Sequence, residues 1–400
     1  MEHLLVKYYM TLFVVALFAT WWIFKRVLKI SLMKNIVDNP EARKLQKIPV
    51  PVLGGIAVFF GIAVALTVTK LTFDTNSLFP IMGVMTIMLY TGIMDDILNL
   101  TPRLRLLVEV LVILLLMFTN DYSINDFHGL WGIYRIPEWI AVPLTIIACV
   151  GIINAINLID GVNGLCSGYC ILACSIFAIA FIIGDDRDAA SLAIVSIGAL
   201  IPFFFHNVFG LKSKMFLGDG GTLMMGAALS SMVIGMLNVN SPLAEKVDPN
   251  FGLIPFALSI LVIPVFDCLR VMISRMLRRT SPFYPDKTHL HHLLWDMGFS
   301  HIGVTSVELL GNAFVVLAWY ISYRSGASVD VQLYIVFGLG MMITLGFYTW
   351  ARRQEKKESK IYHVLQSIGR FTHFGHTPWF ERLRTLLDRR CEKILSDTIN

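Results

Sequence analysis

Polar residues in this chain gather at the borders of long apolar runs. Runs long enough to cross a bilayer core as helix, about 17 to 25 residues, recur along the sequence. They lie at roughly 8–28, 49–69, 78–94, 104–119, 137–153, 164–184, 189–206, 220–238, 251–273, 302–322 and 331–350. This pattern predicts an all-α polytopic integral membrane protein of about eleven transmembrane helices. Residues 1–350 form the membrane domain, and residues 351–400 form a basic tail. The first run is long, is followed by positive charge and has no small-residue cleavage motif, as expected of a retained signal anchor.

Composition agrees, with 56% hydrophobic residues, 15% charged residues and a mean hydropathy of +0.68 over 400 residues. Positively charged loops stay in the cytoplasm. Loops on one side of the eleven runs carry 16 Lys and Arg and those on the other carry 5, while the tail adds 11 on the richer side. This places the N-terminus outside, the C-terminus inside and the polar motifs on the cytoplasmic face. The net charge of +5 then suits anionic headgroups or phosphorylated ligands rather than nucleic acid. In the tail, Phe371, Phe374, Trp379 and Phe380 stand among Arg382, Arg384 and Arg389, which reads as a membrane-surface helix. The six cysteines show no metal spacing. Cys166, Cys170 and Cys174 share one helix face and read as packing residues.

Four polar clusters border the runs, and ionisable groups near a bilayer mark sites by default. Asp95 and Asp96 are adjacent, so on a helix they point about 100° apart and take different jobs. In the run Asn154 to Gly164, Asn157 and Asp160 would share a helix face, while Gly161 and Gly164 break the helix. Gly218-Asp219-Gly220-Gly221 opens a helix with an acid among glycines, where backbone N–H groups can approach a phosphate and Asp219 can hold a cation. The region from Asp267 to His292 carries Arg270, Arg275, Arg278, Arg279, Lys287 and the His289-Leu290-His291-His292 run, a donor density suited to a diphosphate. Hard oxygen ligands favour Mg²⁺ or Mn²⁺ over zinc. Together these features suggest phosphoryl transfer involving a lipid phosphate. A secondary transporter is the alternative from another class.

The motifs, in order, resemble those of the polyprenyl-phosphate N-acetylhexosamine-1-phosphate transferases, over roughly residues 35–300. Asp38-Asn39-Pro40 through Arg43-Lys44 and Pro49 to Gly55 resembles the family's first cytoplasmic loop. Gly92 to Asp96, Asn154 to Leu165 and Phe216 to Thr222 resemble its three acidic motifs. Pro285 to His292 is similar to the branch that uses UDP-N-acetylhexosamines, rather than to the phospho-muramoyl-pentapeptide transferases. Gln46 departs from the family's usual His and Gly220 from its usual Thr.

The resemblance implies transfer of N-acetylhexosamine-1-phosphate, first of all GlcNAc-1-phosphate, from a UDP-sugar to undecaprenyl phosphate in the bacterial inner membrane, with another UDP-N-acetylhexosamine or UDP-MurNAc-pentapeptide as the alternative donor. UMP is released, and a lipid-linked cell-surface glycan begins. It also implies Mg²⁺ or Mn²⁺ on Asp219 and Asn157, and Asp95 as the catalytic residue that handles the acceptor phosphate or its proton, with Asp96 and Asp160 as second carboxylates. Asn163 would lie near the uracil. His289, His291, His292, Arg279 and Lys44 would surround the donor, and a homodimer would be in keeping with the family.

Overall fold

The computed structural model of the chain describes residues 2–40, 46, 48–69, 77–282 and 286–396, so Lys44 lies outside the described residues. All eleven predicted runs are helical. They are α1 (Glu2–Met33), α2 (Gly54–Thr69), α3 (Leu78–Leu98), α4 (Pro102–Asn120), α5 (Glu138–Leu158), α6 (Leu165–Gly184), α7 (Arg187–Phe209) and α8 (Gly218–Met236). After the short α9 (Pro242–Lys246) come α10 (Leu253–Leu277), the short α11 (Leu290–Asp296), α12 (His301–Arg324) and α13 (Val329–Met341). A π-helical stretch, Met342–Phe347, continues α13 into α14 (Tyr348–Lys356), and α15 (Lys360–Phe371) and α16 (Pro378–Ser396) form the tail. The only strands among the described residues, β1 (Val37–Asp38) and β2 (Val50–Pro51), pair antiparallel with Asp38 opposite Val50.

Eight of these helices are long and apolar enough to cross a membrane: α1, α3, α5, α6, α7, α10, α12 and the continuous α13–α14. The three others differ for physical reasons. The described part of α2 is short, and α4 carries Arg103, Arg105 and Glu109. Helix α8 is rich in Gly and Ser, yet 17 of its 19 residues are buried against α2, α3 and α5, so it meets protein rather than lipid. Large apolar side chains instead face outward elsewhere, including Phe18, Phe79, Phe118, Ile147, Leu310 and Phe337. Contiguous apolar surface of this kind is covered by lipid in a polytopic protein.

Helix ends position the polar motifs. Helix α3 stops at Asn99, whose backbone is left-handed, and Thr101 caps α4 by accepting from Leu104 N, with Pro102 in the first turn. Asp95 and Asp96 therefore sit in the last turn of α3. Helix α5 ends just past Asn157, and a turn through Gly164, at φ +79°, leads into α6. Helix α8 starts at Gly218, so the C-terminal ends of α3, α5 and α10 meet the N-terminus of α8 at one end of the bundle.

Candidate active site

Close backbone packing brings α8 to α3. A Cβ on Gly92 would lie 2.3 Å from the Asp219 carbonyl carbon and oxygen and from Gly220 N, so no larger residue fits this crossing without movement. Gly218 (φ +71°) is equally constrained, since a Cβ there would meet Val52 O at 2.1 Å. The strand β2 segment holds the same corner: Phe216 N donates to Pro51 O, and Gly54 N and Gly55 N donate to Phe216 O and Leu217 O.

Beside this crossing is a cavity of about 390 Å³ lined by six carboxylates, Asp38, Asp95, Asp96, Asp160, Asp219 and Asp286, together with Gln46, Asn99, Asn157 and His292. Asn157 donates from Nδ2 to Asp219 Oδ1 (2.7 Å) and to Thr222 Oγ1 (2.8 Å). Asp96 Oδ2 accepts from Gly220 N at 3.5 Å, at the positive end of α8. Burial, and then the neighbouring Asp219 carboxylate, push Asp160 well above the usual carboxylate range. Gln46 donates a hydrogen bond to Asp38.

A second cavity, of about 250 Å³, shares Asp95, Gly161, Asp286 and His292 with the first. Its polar lining adds Arg105, Arg275, Glu109, Asn154, His289 and His291, and its apolar lining includes Leu100, Leu106, Leu158 and Met272. Arg105 ties the two chambers together. It pairs with Asp95 (3.3 Å) and Glu109 (3.4 Å) and donates to Asn154 Oδ1 (2.9 Å). Asn154 in turn donates to Glu109 Oε2 at 2.6 Å. Arg275 grips Asp286 with two hydrogen bonds, 2.9 and 3.2 Å. Although burial raises Asp286, hydrogen bonds from Arg275 and Thr288 bring it down to about 2.

The histidines form the roof. His289 Nδ1 bonds the buried Asp267 at 2.9 Å, and the His289 and His291 rings stack with centroids 5.4 Å apart. Burial, then neighbouring His289, lower His291 well below its ordinary value and His292 to about 4, so both are neutral at pH 7.

The adjacent acids do diverge as their helical spacing requires, Asp95 toward Arg105 and Asp96 toward α8. Of the predicted site residues, Asp95, Asp96, Asn157, Asp160, Asp219, His289, His291 and His292 line the paired chambers. Two of the predicted residues lie outside that lining. Arg279 falls in an exposed turn after α10 with φ +59° and lines neither chamber. Asn163 lines neither chamber as well: it is buried, its N–H donates to His301 Nδ1 and its carbonyl accepts from Thr305. Sequence reasoning gave no role in the chambers to Arg105, Glu109 or Asp286, and it named Arg275 only among the donors of its stretch. The apolar setting of Arg105 and Glu109, both within a predicted span, could have flagged those two.

Fold and cavity define a polytopic membrane protein with a carboxylate-rich site walled by helix ends. Residues 78–237 match the model of glycosyl transferase family 4. The probable undecaprenyl-phosphate N-acetylglucosaminyl 1-phosphate transferase of Bacillus subtilis (strain 168) is 30% identical over 328 residues, covering 81% of this chain and 87% of that protein. The undecaprenyl-phosphate alpha-N-acetylglucosaminyl 1-phosphate transferases of Yersinia pestis and Escherichia coli (strain K12) are each 29% identical. They cover 68% of this chain and 73% and 72% of their own lengths, respectively. The chain belongs to glycosyl transferase family 4 and is a sugar-phosphate transferase.

Proposed function

We propose that this enzyme transfers N-acetylglucosamine-1-phosphate from UDP-N-acetylglucosamine to undecaprenyl phosphate, releasing UMP and starting a lipid-linked cell-surface glycan. The observation that carries this reading is the Asn157–Asp219 pair at the α8 N-terminus, set in a carboxylate chamber that shares a wall with an arginine and histidine chamber. The asymmetry of Lys and Arg between the two sets of loops supports eleven crossings with this end of the bundle in the cytoplasm of the bacterial plasma membrane.

The acidic chamber suits a divalent cation. Six carboxylates around one cavity repel one another unless a cation joins them. Among the described residues no three His, Cys, Asp or Glu close into a cage. Mg²⁺ is typically held by one or two carboxylates and by substrate phosphates, an arrangement this donor set fits. Asp219 and the carbonyl oxygen of Asn157 would hold it, with Asp96 and Asp160 beside them. When bound, it neutralises charge on the donor diphosphate.

The remaining work falls to the chain's own residues. The donor's diphosphate lies between the acidic chamber and His292, while the acceptor's phosphate enters the second chamber toward Arg105, its polyprenyl chain along Leu106, Leu158 and Met272. An acceptor phosphate oxygen attacks the phosphorus bearing the sugar. The bond from that phosphorus to the bridging oxygen breaks, and UMP leaves with the oxygen. With a second pKa near 6, the acceptor is mostly ionised at neutral pH and needs no obligatory base. Asp95 therefore acts by orienting Arg105 at the shared wall, and positioning supplies much of the rate.

The test uses purified protein in lipid nanodiscs with undecaprenyl phosphate, Mg²⁺ and radiolabelled UDP-N-acetylglucosamine. Label should enter the lipid phase with equal UMP release, and both should vanish with EDTA or in Asp219→Ala. Transfer only from a different UDP-N-acetylhexosamine would overturn the donor assignment, and no transfer from any would overturn the reading.

A further inference from the structure

The tail contains one helix whose surface divides into three sectors. Along α15, Tyr362, Leu365, Gln366 and Gly369 face the protein, and Lys360, His363, Ser367 and Arg370 are exposed and polar. The remaining positions, Ile361, Val364, Ile368 and Phe371, recur at helical spacing as an exposed apolar stripe in which Phe371 is 80% exposed. Phe374, about half exposed, follows shortly after the helix end.

Position says what covers that stripe. Helix α14 continues directly from the last membrane-length helix, and only residues 357–359 separate it from α15. The stripe thus starts eleven residues beyond the last apolar run, which ends near residue 350, with the polar α14 between them. Basic residues Lys356, Lys357, Lys360 and Arg370 flank it, the charge that an anionic leaflet attracts. A helix with one apolar and one basic polar sector at such a boundary lies in the interface plane.

We propose that α15 lies in the surface of an anionic membrane leaflet, its stripe of Ile361, Val364, Ile368 and Phe371 sunk to the headgroup and acyl boundary. The residues that follow its last turn grip the corner between α11 and α12. Ser300 N donates to Thr372 Oγ1 (2.9 Å), Ser300 Oγ donates to Thr372 O (2.6 Å), and His373 Nε2 donates to Gly298 O (3.0 Å). Arg352 adds an ion pair to Asp296 at 2.9 Å. That corner follows directly on His291 and His292, so the lipid surface becomes one support of the chamber roof. Helix α16 docks on protein instead, with Asp388 accepting from Leu211 N, Ser213 N and Ser213 Oγ, and Phe380 packed on Phe209.

The experiment uses the full chain in phosphatidylglycerol-containing nanodiscs. Single cysteines replace Val364 and Phe371 in the apolar sector, and His363 and Ser367 in the polar sector. The six native cysteines are buried, so a nitrobenzoxadiazole label is directed to the introduced thiol. Labels on Val364→Cys and Phe371→Cys should lose most of their fluorescence to doxyl lipids and resist aqueous iodide. Labels on His363→Cys and Ser367→Cys should show the reverse. Iodide quenching at all four positions would overturn the proposal, because the helix would then stand free in water. Shielding of the first two from both quenchers would overturn it too, in favour of a protein partner. Neither readout depends on transferase activity.

Discussion

The contact at Gly92 gives a prediction that the geometry sets almost alone. Replacing Gly92 by Ala adds one carbon, which would lie 2.3 Å from the Asp219 carbonyl carbon and oxygen and from Gly220 N. Ordinary contact begins near 3.4 Å, so the N-terminus of α8 must retreat from α3 by about 1 Å. This moves Asp219 relative to Asn157, now 2.7 Å away, and withdraws Gly220 N from Asp96. A misplacement of about 1 Å at a reacting centre costs on the order of 10²-fold in rate, which is about 2.7 kcal/mol of barrier. Overpacking should lower stability by about 1–3 kcal/mol besides. The control is Gly83→Ala in the same helix, where a Cβ meets nothing within 4 Å and activity should be unchanged. Lipid-phase label transfer at saturating substrate gives the rate, and thermal unfolding of the same samples shows whether the variant is folded. Folded Gly92→Ala with activity within about threefold of wild type would refute the idea that this crossing sets the position of Asp219.

Two further outcomes follow from the charges around the chambers. Arg105→Met leaves the buried Glu109, 1% exposed, without its guanidinium and should destabilise by about 3–5 kcal/mol. The double variant with Glu109→Gln should recover much of that loss in denaturant unfolding; equal losses in single and double variants would contradict it. His292 is held to about 4 by burial and by His289, with Lys287 adding to the effect and Asp296 and Asp286 opposing it. The unfolded chain accepts this proton near 6.5, so between about 6.5 and about 4 it binds more protons than the folded chain, and stability falls as pH falls. His292→Gln should flatten that part of the curve of unfolding temperature against pH.

The helices were legible because lipid-length apolar runs carry a strong signal, and all eleven segments are helical. The acids were legible because they border those runs, and helix ends bring them together. Side-chain direction was not. Arg270, Arg275 and Arg279 read alike as a donor-rich stretch, yet α10 extends to Leu277 and turns Arg275 inward, while the left-handed backbone at Arg279 turns it away. Arg105 reaches Asp95 only because the Asn99–Thr101 corner folds α4 back beside α3. Glu109, a plain charge in sequence, becomes a buried partner by the same fold. Thr372 and Asp388 gave no signal at all, since their bonds close across 72 and 175 residues.

Gln46 offers the sharpest contrast between what a side chain can bond and what it can titrate. Its amide donates to Asp38 at the mouth of the acidic chamber, filling the place of a donor without ever changing charge. Gln46→His would keep a donor there and add a proton equilibrium. Asp286, brought down to about 2 and so ionised, lines the same cavity as the partner Asp38, and these carboxylates should raise the new histidine above its unfolded value near 6.5. The folded state then binds the proton more tightly than the unfolded state. The stabilisation, about 1.4 kcal/mol for each tenfold gain in proton affinity, is fully present below pH 6.5 and disappears as pH rises through the folded value. Unfolding temperatures of the two proteins should therefore diverge on acidification, with the variant the more stable, and converge above the folded value. A difference that does not change with pH would mean that position 46 lies outside the field of those carboxylates, and the acidic chamber would have to be redrawn without Asp38.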